Sequence, residues 1–500
     1  MLNRVINLYI IQFKGAITLD INHISSIVFL VINMLFAAAV IFLERKDATS
    51  TWAWLLVLTF IPILGFILYL LLGQNLTRYR LFQWKERAKL NIDQMVVDQI
   101  HHLQEKDFPF RKQDTLEYKD FIYMHLIQNG ALFTEDNKVD IFVDGHQKFD
   151  NLLADIENAK DHIHIQYYIY RSDGLGKRIR DALIKKAKEG VYVRLLYDAL
   201  GSRTLRKRFF KELIEAGGKV EVFFPSKLSP INLRLNYRNH RKLVIIDGKI
   251  GYTGGFNVGD EYLGLDKKFG YWRDTHLRIQ GTAVATLQAR FIMDWNEASR
   301  YHDIMFVPAH FPEPEVTGHV GMQIVTSGPD AEIEHIKNGY IKMIAAAKKS
   351  IIIQTPYFIP DASMLDAVRI ACLSGIDVRI MIPNKPDHMF VYWATTSYIG
   401  ELIKVGARIY VYDNGFLHTK MIIVDNKIAT IGSANFDVRS FRLNFEINAF
   451  IYDASIAQQL TDAFEKDLQL SAELTEEHYK QRSLWIRFKE SISRLLSPIL

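Results

Sequence analysis

Cysteine is nearly missing from this chain: Cys372 is the single one in 500 residues. No intramolecular disulfide can form, and a metal site built on several cysteines is excluded. That suits a folded body facing a reducing compartment. Charge of one sign is scarce as well. Lys and Arg number 61 and Asp and Glu 56, a formal net charge of +5, which is too small to demand a nucleic-acid partner. Apolar residues, in contrast, make up 49% of the chain, enough for a sizeable core. The length implies two or three units rather than one small domain.

Two apolar runs contain no charge at all: residues 24–43 (ISSIVFLVINMLFAAAVIFL) and 53–73 (AWLLVLTFIPILGFILYLLLG). Each has the roughly 20 residues that a helix needs to cross a bilayer. The short polar link between them, ERKDATST, allows only a tight hairpin, and a membrane helix tolerates Pro62 and Gly65 within the second run. The second run is followed by Arg78, Arg80, Lys85, Arg87 and Lys89 against Glu86. In the link, Arg45 and Lys46 are offset by Glu44 and Asp47. The positive-inside rule then places the C-terminal bulk in the cytoplasm of a multi-pass cell-membrane protein. The competing reading is a cleaved signal peptide ending near Ala37-Ala38-Ala39, but the second run would still anchor the chain. Residues 1–23 form an N-terminal segment whose apolar stretch is too short to span, and which is expected at the interface.

The remainder repeats itself. AKDHIHIQYYIYRSDG from Ala159 matches AKKSIIIQTPYFIPDA from Ala347, each a strand-like run ending in Gln166 or Gln354. A helical spacing and a second strand-like run follow in both, GVYVRLLYD from Gly190 and GIDVRIMIP from Gly375. Each half therefore reads as strand–helix–strand with a parallel pair. The expected fold is α/β. A transmembrane hairpin (24–75) and a charged connector (76–130) precede two pseudo-symmetric halves (131–318 and 319–479), each a mixed sheet flanked by helices. A Pro- and Gly-rich linker lies near residues 307–321, and a basic amphipathic tail occupies 480–500.

The repeat carries a motif, H-x-K-x4-D, at His240, Lys242, Asp247 and again at His418, Lys420, Asp425. His and Lys two apart on a strand would share one face. Histidine serves as nucleophile or acid/base near neutral pH, and lysine as a point charge for phosphate oxygens. A single copy would pass as surface decoration, whereas two copies at matching positions of a repeat point to one shared site. The motif aspartates open turns, so a structural hydrogen bond is the expected role for Asp247 and Asp425, with direct catalysis as the alternative. Asn257, Asn435 and Ser433 are candidate neutral donors to phosphate. Asp274 and Glu446 follow the two copies and are candidate carboxylates to orient the imidazoles; ordinary salt bridges with Arg273 or Arg442 are the alternative. His162 and His164 resemble a metal pair only superficially and read as strand residues near a core or rim. No set of residues suggests a metal, and no cofactor is expected.

YRNHRKLVIIDG, GGFNVGDEYLG, TPYFIP, GFLHTK, GSANFDVRSFRLNFE and the membrane segment resemble the phospholipase D superfamily, and within it the bacterial cardiolipin synthases. The resemblance covers nearly the whole chain. It implies phosphatidyl transfer from one phosphatidylglycerol to another, reversible, giving cardiolipin and glycerol through a phosphatidyl-histidine. It implies His240 as nucleophile, His418 as acid and then base, and a crossed arrangement in which Glu446 orients His240 and Asp274 orients His418. Gly255 stands where the second copy has Ser433, a variation the family shows. The implied partners are phosphatidylglycerol and anionic membrane lipid, with no nucleic acid; self-association is left open. Lys480, Arg482, Arg487, Lys489 and Arg494, beside Leu484, Trp485, Phe488, Ile492, Leu495 and Leu496, fit a tail helix on anionic lipid or one packed on the body. The rival activities are a phospholipase D using water, a related transferase using another alcohol or donor, and a non-catalytic scaffold.

Overall fold

The computed structural model describes residues 28, 31–38, 48–61, 64, 65, 69, 92–225, 236–314 and 318–497. Contacts divide the chain into one unit of residues 1–81 with 227–236 and a second of residues 82–226 with 237–500. In the first unit, helix Ala48–Phe60 starts inside the stretch expected to be a polar link. It stops just ahead of Pro62, whose ring disfavours helical backbone in the residue before it. Among the described residues, no helix is long and apolar enough to cross a membrane. Much of the expected spans 24–43 and 53–73, the segment 1–23 and the basic flank 78–89 lie outside the described residues.

In the second unit, two β-sheets join edge to edge into one. From one edge its strands are Ser471–Glu473, Arg408–Tyr412, Asp377–Pro383, Ser350–Gln354, Met421–Val424, Ile428–Gly432, Asn444–Tyr452 and Val320–Ser327. It continues through Phe133–Phe142, His276–Gln280, Ile250–Gly254, Leu243–Ile246, His162–Tyr167, Tyr192–Asp198 and Lys219–Phe223. Apart from the extra edge strand Ser471–Glu473, the order is palindromic about the antiparallel pairing of Phe133–Phe142 with Val320–Ser327, so the two halves meet there as pseudo-symmetric copies. The repeated segments form parallel pairs, His162–Tyr167 on Tyr192–Asp198 and Ser350–Gln354 on Asp377–Pro383. Such pairs need a crossover, here helices Gly174–Lys188 and Ala362–Leu373. Asp173 and Asp361 cap these helices by accepting from the backbone N–H of Gly176 and Met364, both at 3.1 Å.

Each half buries its own apolar core against its share of the sheet. The stretch expected as a connector is different. Helix Lys119–Asn129 places Phe121, Ile122 and Leu126 in the core of the second half, and Val96, Ile100 and Leu103 of helix Ile92–Glu105 pack on the same cluster. Their apolar spacing provides a face to bury, so the described residues 92–130 pack as part of the second half, while 76–91 lie outside the described residues.

Candidate active site

The motif histidines do not sit within strands, contrary to the sequence expectation. His240 follows the two-residue strand Arg238–Asn239, which pairs in parallel with Asn444–Phe445 of the other half. Its N–H donates to Phe445 O at 2.9 Å. The second copy mirrors this: Phe416–Leu417 pairs with Trp272–Arg273, and His418 N–H donates to Arg273 O at 2.7 Å. Each histidine is thus tied to the residue just ahead of the other half's carboxylate. The crossing of acids and histidines follows from backbone pairing before any side chain is considered.

The imidazole of His240 has Nδ1 2.9 Å from Glu446 Oε1 and 3.1 Å from Ser433 O. His418 has Nδ1 2.6 Å from Asp274 Oδ2. Carboxylate and carbonyl oxygens only accept, so Nδ1 carries the proton and Nε2 presents a lone pair. Both acids are closed off from solvent, while each histidine keeps 8% of its surface open. The lysines fold back onto their own histidines. Lys242 Nζ donates to His240 O at 2.6 Å, and Lys420 Nζ donates to His418 O. The carbonyl takes one donor of each ammonium and leaves others for a ligand.

The two acids are held differently. Glu446 accepts from the Ser433 hydroxyl and, at 3.1 Å, from Asn444 Nδ2. Asp274 accepts from Thr275 N–H at 2.8 Å and occupies the space a side chain at position 255 would need. A Cβ on Gly255 would fall 1.9 Å from Asp274 Oδ1. The Gly255/Ser433 difference is therefore steric: the shorter acid fills the place of the serine.

Asp247 and Asp425 do not approach the imidazoles through their carboxylates. Both residues take positive φ (53°), each followed by another positive-φ residue, Gly248 or Asn426. The two form the centre of a tight turn closed by Lys249 N–H on Ile246 O, or Lys427 N–H on Val424 O, both at 3.0 Å, within a three-residue hairpin connection. The Asp247 carboxylate accepts from the N–H groups of Lys160, Asp161 and His162 at 2.8 to 3.0 Å. Asp425 accepts from Lys348, Lys349 and Ser350 at 2.7 to 2.8 Å. Each pins the start of the strand that carries Gln166 or Gln354.

A further set of buried residues escaped the sequence reading. Arg241 binds Asp294 at 2.7 Å, and its Nε donates to Glu446 O at 3.1 Å. Arg273 binds Asp467 at 2.8 Å, and its Nη1 donates to Asp274 O at 2.7 Å. Gln166 and Gln354 donate to Asp294 and Asp467 at 2.8 and 2.9 Å. In both copies an arginine anchored on a helix aspartate holds the backbone of the orienting acid. The matched positions of Asp294 and Asp467 behind each repeat were the available signal. The ion pairs of these arginines lie elsewhere: Arg273 pairs with Asp467, and Arg442 with Glu334 and Asp361.

Burial dominates the electrostatics. It holds His240 and His418 down at about 4, with Lys242 and Lys420 adding to the effect while the carboxylates oppose it. Burial also lowers Lys242 to about 7 and Lys420 to about 8. Each lysine acts on both histidines, so both motif copies share one field. Glu446 stays below the usual carboxylate range because His240, Lys242 and Ser433 outweigh its burial.

The other candidates lie as follows. Asn257 accepts from Ile169 N–H and donates to the Tyr262 hydroxyl, both at 3.1 Å, so its amide serves the first half's own loops. Asn435 bonds the Asp437 carboxylate, and its Oδ1 is buried with no partner among the described residues. His162 and His164 are buried and share Gln288, with His164 stacked on Phe291 at 4.6 Å. Among the described residues, no group of three or more His, Cys, Asp or Glu could hold a metal ion. Tyr168, unremarked in the sequence, packs its ring 4.8 Å from that of His240.

A family model described as "Cardiolipin synthase, PLD-like domain" matches residues 152–295 and 340–468. One described as "Phospholipase_D-nuclease N-terminal" matches residues 31–74. The chain is 67% identical over 482 residues to the major cardiolipin synthase ClsA of Bacillus subtilis, covering 96% of this chain and all of that one. It is 59% identical over 474 residues to a cardiolipin synthase of Listeria monocytogenes, covering 95% and 98%. The crystal structure of phosphatidylserine synthase from Haemophilus influenzae superposes with a TM-score of 0.56 at 16% identity. It covers 72% of this chain and 95% of that one, a likeness of fold.

Proposed function

The chain belongs to the cardiolipin synthase family of phospholipase D-like proteins, and on that premise we propose that His240 and His418 divide one phosphatidyl transfer between them. The enzyme is a phosphatidyltransferase: it takes phosphatidylglycerol as substrate and makes cardiolipin. His240 Nε2 attacks the phosphorus of the first phosphatidylglycerol, forming an N–P bond as the bond from phosphorus to the glycerol headgroup oxygen breaks. His418, neutral in the free site, takes up a proton at Nε2 as the phosphate anion enters and favours its charged form; it gives that proton to the leaving oxygen, and glycerol leaves. Neutral His418 then takes a proton from a headgroup hydroxyl of the second phosphatidylglycerol. That oxygen attacks phosphorus, the N–P bond breaks, and cardiolipin is released with His240 regenerated.

Lys242 and Lys420 hold the phosphate oxygens and meet the charge that grows in the transition state. Glu446 and Asp274 fix the tautomers and stabilise each imidazole when it is positive. Asp247 and Asp425 are scaffold residues in this reading, and Asn257 is a loop residue rather than a phosphate donor. The carrying observation is the pair of crossed Nδ1–carboxylate contacts, which leave both Nε2 atoms without a partner among the described residues, in the field of both lysines. The apolar runs 24–43 and 53–73 anchor the enzyme as a hairpin with the catalytic body in the cytoplasm. The support for this is their length, lack of charge and basic flank.

Incubating the purified protein with phosphatidylglycerol alone tests the reading. Cardiolipin and glycerol are expected in equal amounts, and phosphatidic acid as the main product would make it a hydrolase instead.

A further inference from the structure

The tail helix Leu484–Leu495 is packed inside out. Its polar residues Glu490 and Ser493 are buried, and Arg482 reaches Glu490 at 3.1 Å. Its large apolar residues face outward, with Leu484 81%, Trp485 63% and Phe488 54% exposed. A helix on a soluble surface would present the opposite faces. It lies beside and parallel to helix Met389–Ile403: Lys489 Nζ is 4.8 Å from the Trp393 ring, and the Arg494 guanidinium lies 4.4 Å over Tyr398. The neighbouring helix adds exposed Met389 and Phe390 at the same end. The outward face is therefore continuous over two elements.

Cations surround this patch. Arg487 and Lys489 on the tail helix and Lys385 just ahead of its neighbour form no ion pair among the described residues. The single acid of residues 484–497 is the buried Glu490. Exposed aromatic and aliphatic side chains ringed by cations fit the surface of an anionic bilayer, where the rings bury and the cations meet headgroup phosphates. A contact between two copies would set these cations against one another. The patch also connects to the catalytic centre. Asp387, two residues ahead of Met389, accepts from the Tyr357 hydroxyl and attracts the charge of Lys420.

We propose that helices Met389–Ile403 and Leu484–Leu495 together form a docking face that sinks Phe390, Trp485 and Phe488 into an anionic bilayer, holding the mouth of the catalytic site at the headgroup level. This rests on the reading of the substrate as a bilayer lipid. It gives the docking face a role separate from the N-terminal anchor: the anchor keeps the enzyme at the membrane, and the face sets the height and tilt of the site.

Two measurements test it on the full-length chain. W485S/F488S is compared with the parent on phosphatidylglycerol in vesicles and on a short-chain phosphatidylglycerol dispersed as monomers. Cardiolipin formation should fall about tenfold on vesicles and stay within about twofold on monomers. Equal losses on both, or none on vesicles, would overturn the proposal. The second measurement does not depend on turnover. Trp485 fluorescence, taken as the difference between the parent and W485F in vesicles of acyl-brominated anionic lipid, should be quenched. An unquenched Trp485 would sink the docking face even if cardiolipin is made. Quenching in a protein that makes no cardiolipin would keep the docking face and remove the functional reading. An unquenched Trp485 shielded only as protein concentration rises would assign the patch to a second copy.

Discussion

The two halves of the catalytic unit present the same His and Lys but not the same surroundings. In the second half's contribution, Glu446 reaches His240 with help from Ser433 and Asn444. In the first half's contribution, the shorter Asp274 reaches His418 by occupying the space Gly255 leaves empty. The arginine that steadies each acid also comes from a different place. Arg241 lies between His240 and Lys242, whereas its positional counterpart is Thr419, and the second site draws on Arg273 beside Asp274 instead. Duplication gave one geometry twice, and the chain kept that geometry while changing the parts that hold it. A symmetric scaffold can thus support two unlike jobs: a nucleophile needs a firmly fixed Nε2, and an acid needs to gain and lose a proton.

The comparison breaks most completely at the histidines. H240A and H418A should each lower cardiolipin formation by about 10³-fold or more, because the halves share one site. Near-normal activity in either variant would show two independent sites. The unequal acid supports come next. G255A puts a methyl group on the Asp274 carboxylate and should cost about 10²-fold in kcat through misplacement of His418. S433A removes one hydrogen bond to Glu446 without a clash and should cost about tenfold. If the two losses were equal, the steric account of Gly255 would be wrong.

The pH dependence sharpens the same contrast. The kcat/KM profile reports groups of the free enzyme. Burial lowers the lysines, so they carry charge only below about 7 for Lys242 and about 8 for Lys420. Activity should fall as pH rises through that window. The histidines, held at about 4, are already neutral there and should add no limb near their ordinary value. A limb near 6.5 that vanishes in a histidine variant would contradict this. The smallest catalytic effects should come from D247N and D425N. Each should lower unfolding stability by about 1–3 kcal/mol through the lost backbone clamp. Turnover per folded molecule should stay within about threefold, as for a residue that does not touch substrate. Loss of turnover with an unchanged melting temperature would make these aspartates catalytic after all.

Much of this was legible in the sequence, because repetition is a strong signal. The duplicated strand–helix–strand, the paired motif and the turn role of the motif aspartates all follow from spacing and residue type. The crossing of acids and histidines came from family resemblance, since the pairing of Arg238–Asn239 with Asn444–Phe445 joins residues some two hundred positions apart. Local propensity carries no information about such contacts. The Arg241–Asp294 and Arg273–Asp467 pairs were hidden for the same reason, and because an arginine that changes halves defeats a position-by-position comparison of the repeat. Helix Lys119–Asn129 read as connector because its burying partner, the sheet of the second half, lies far along the chain.

The central claim is that His240 attacks and His418 protonates. A phosphatidyl donor with a p-nitrophenol leaving group needs no proton from the enzyme, so it separates the two jobs. H418A should release a burst of p-nitrophenolate equal to the enzyme present and retain the phosphatidyl group on His240, while H240A should release none. A burst from H240A with none from H418A would reverse the assignment and contradict the account.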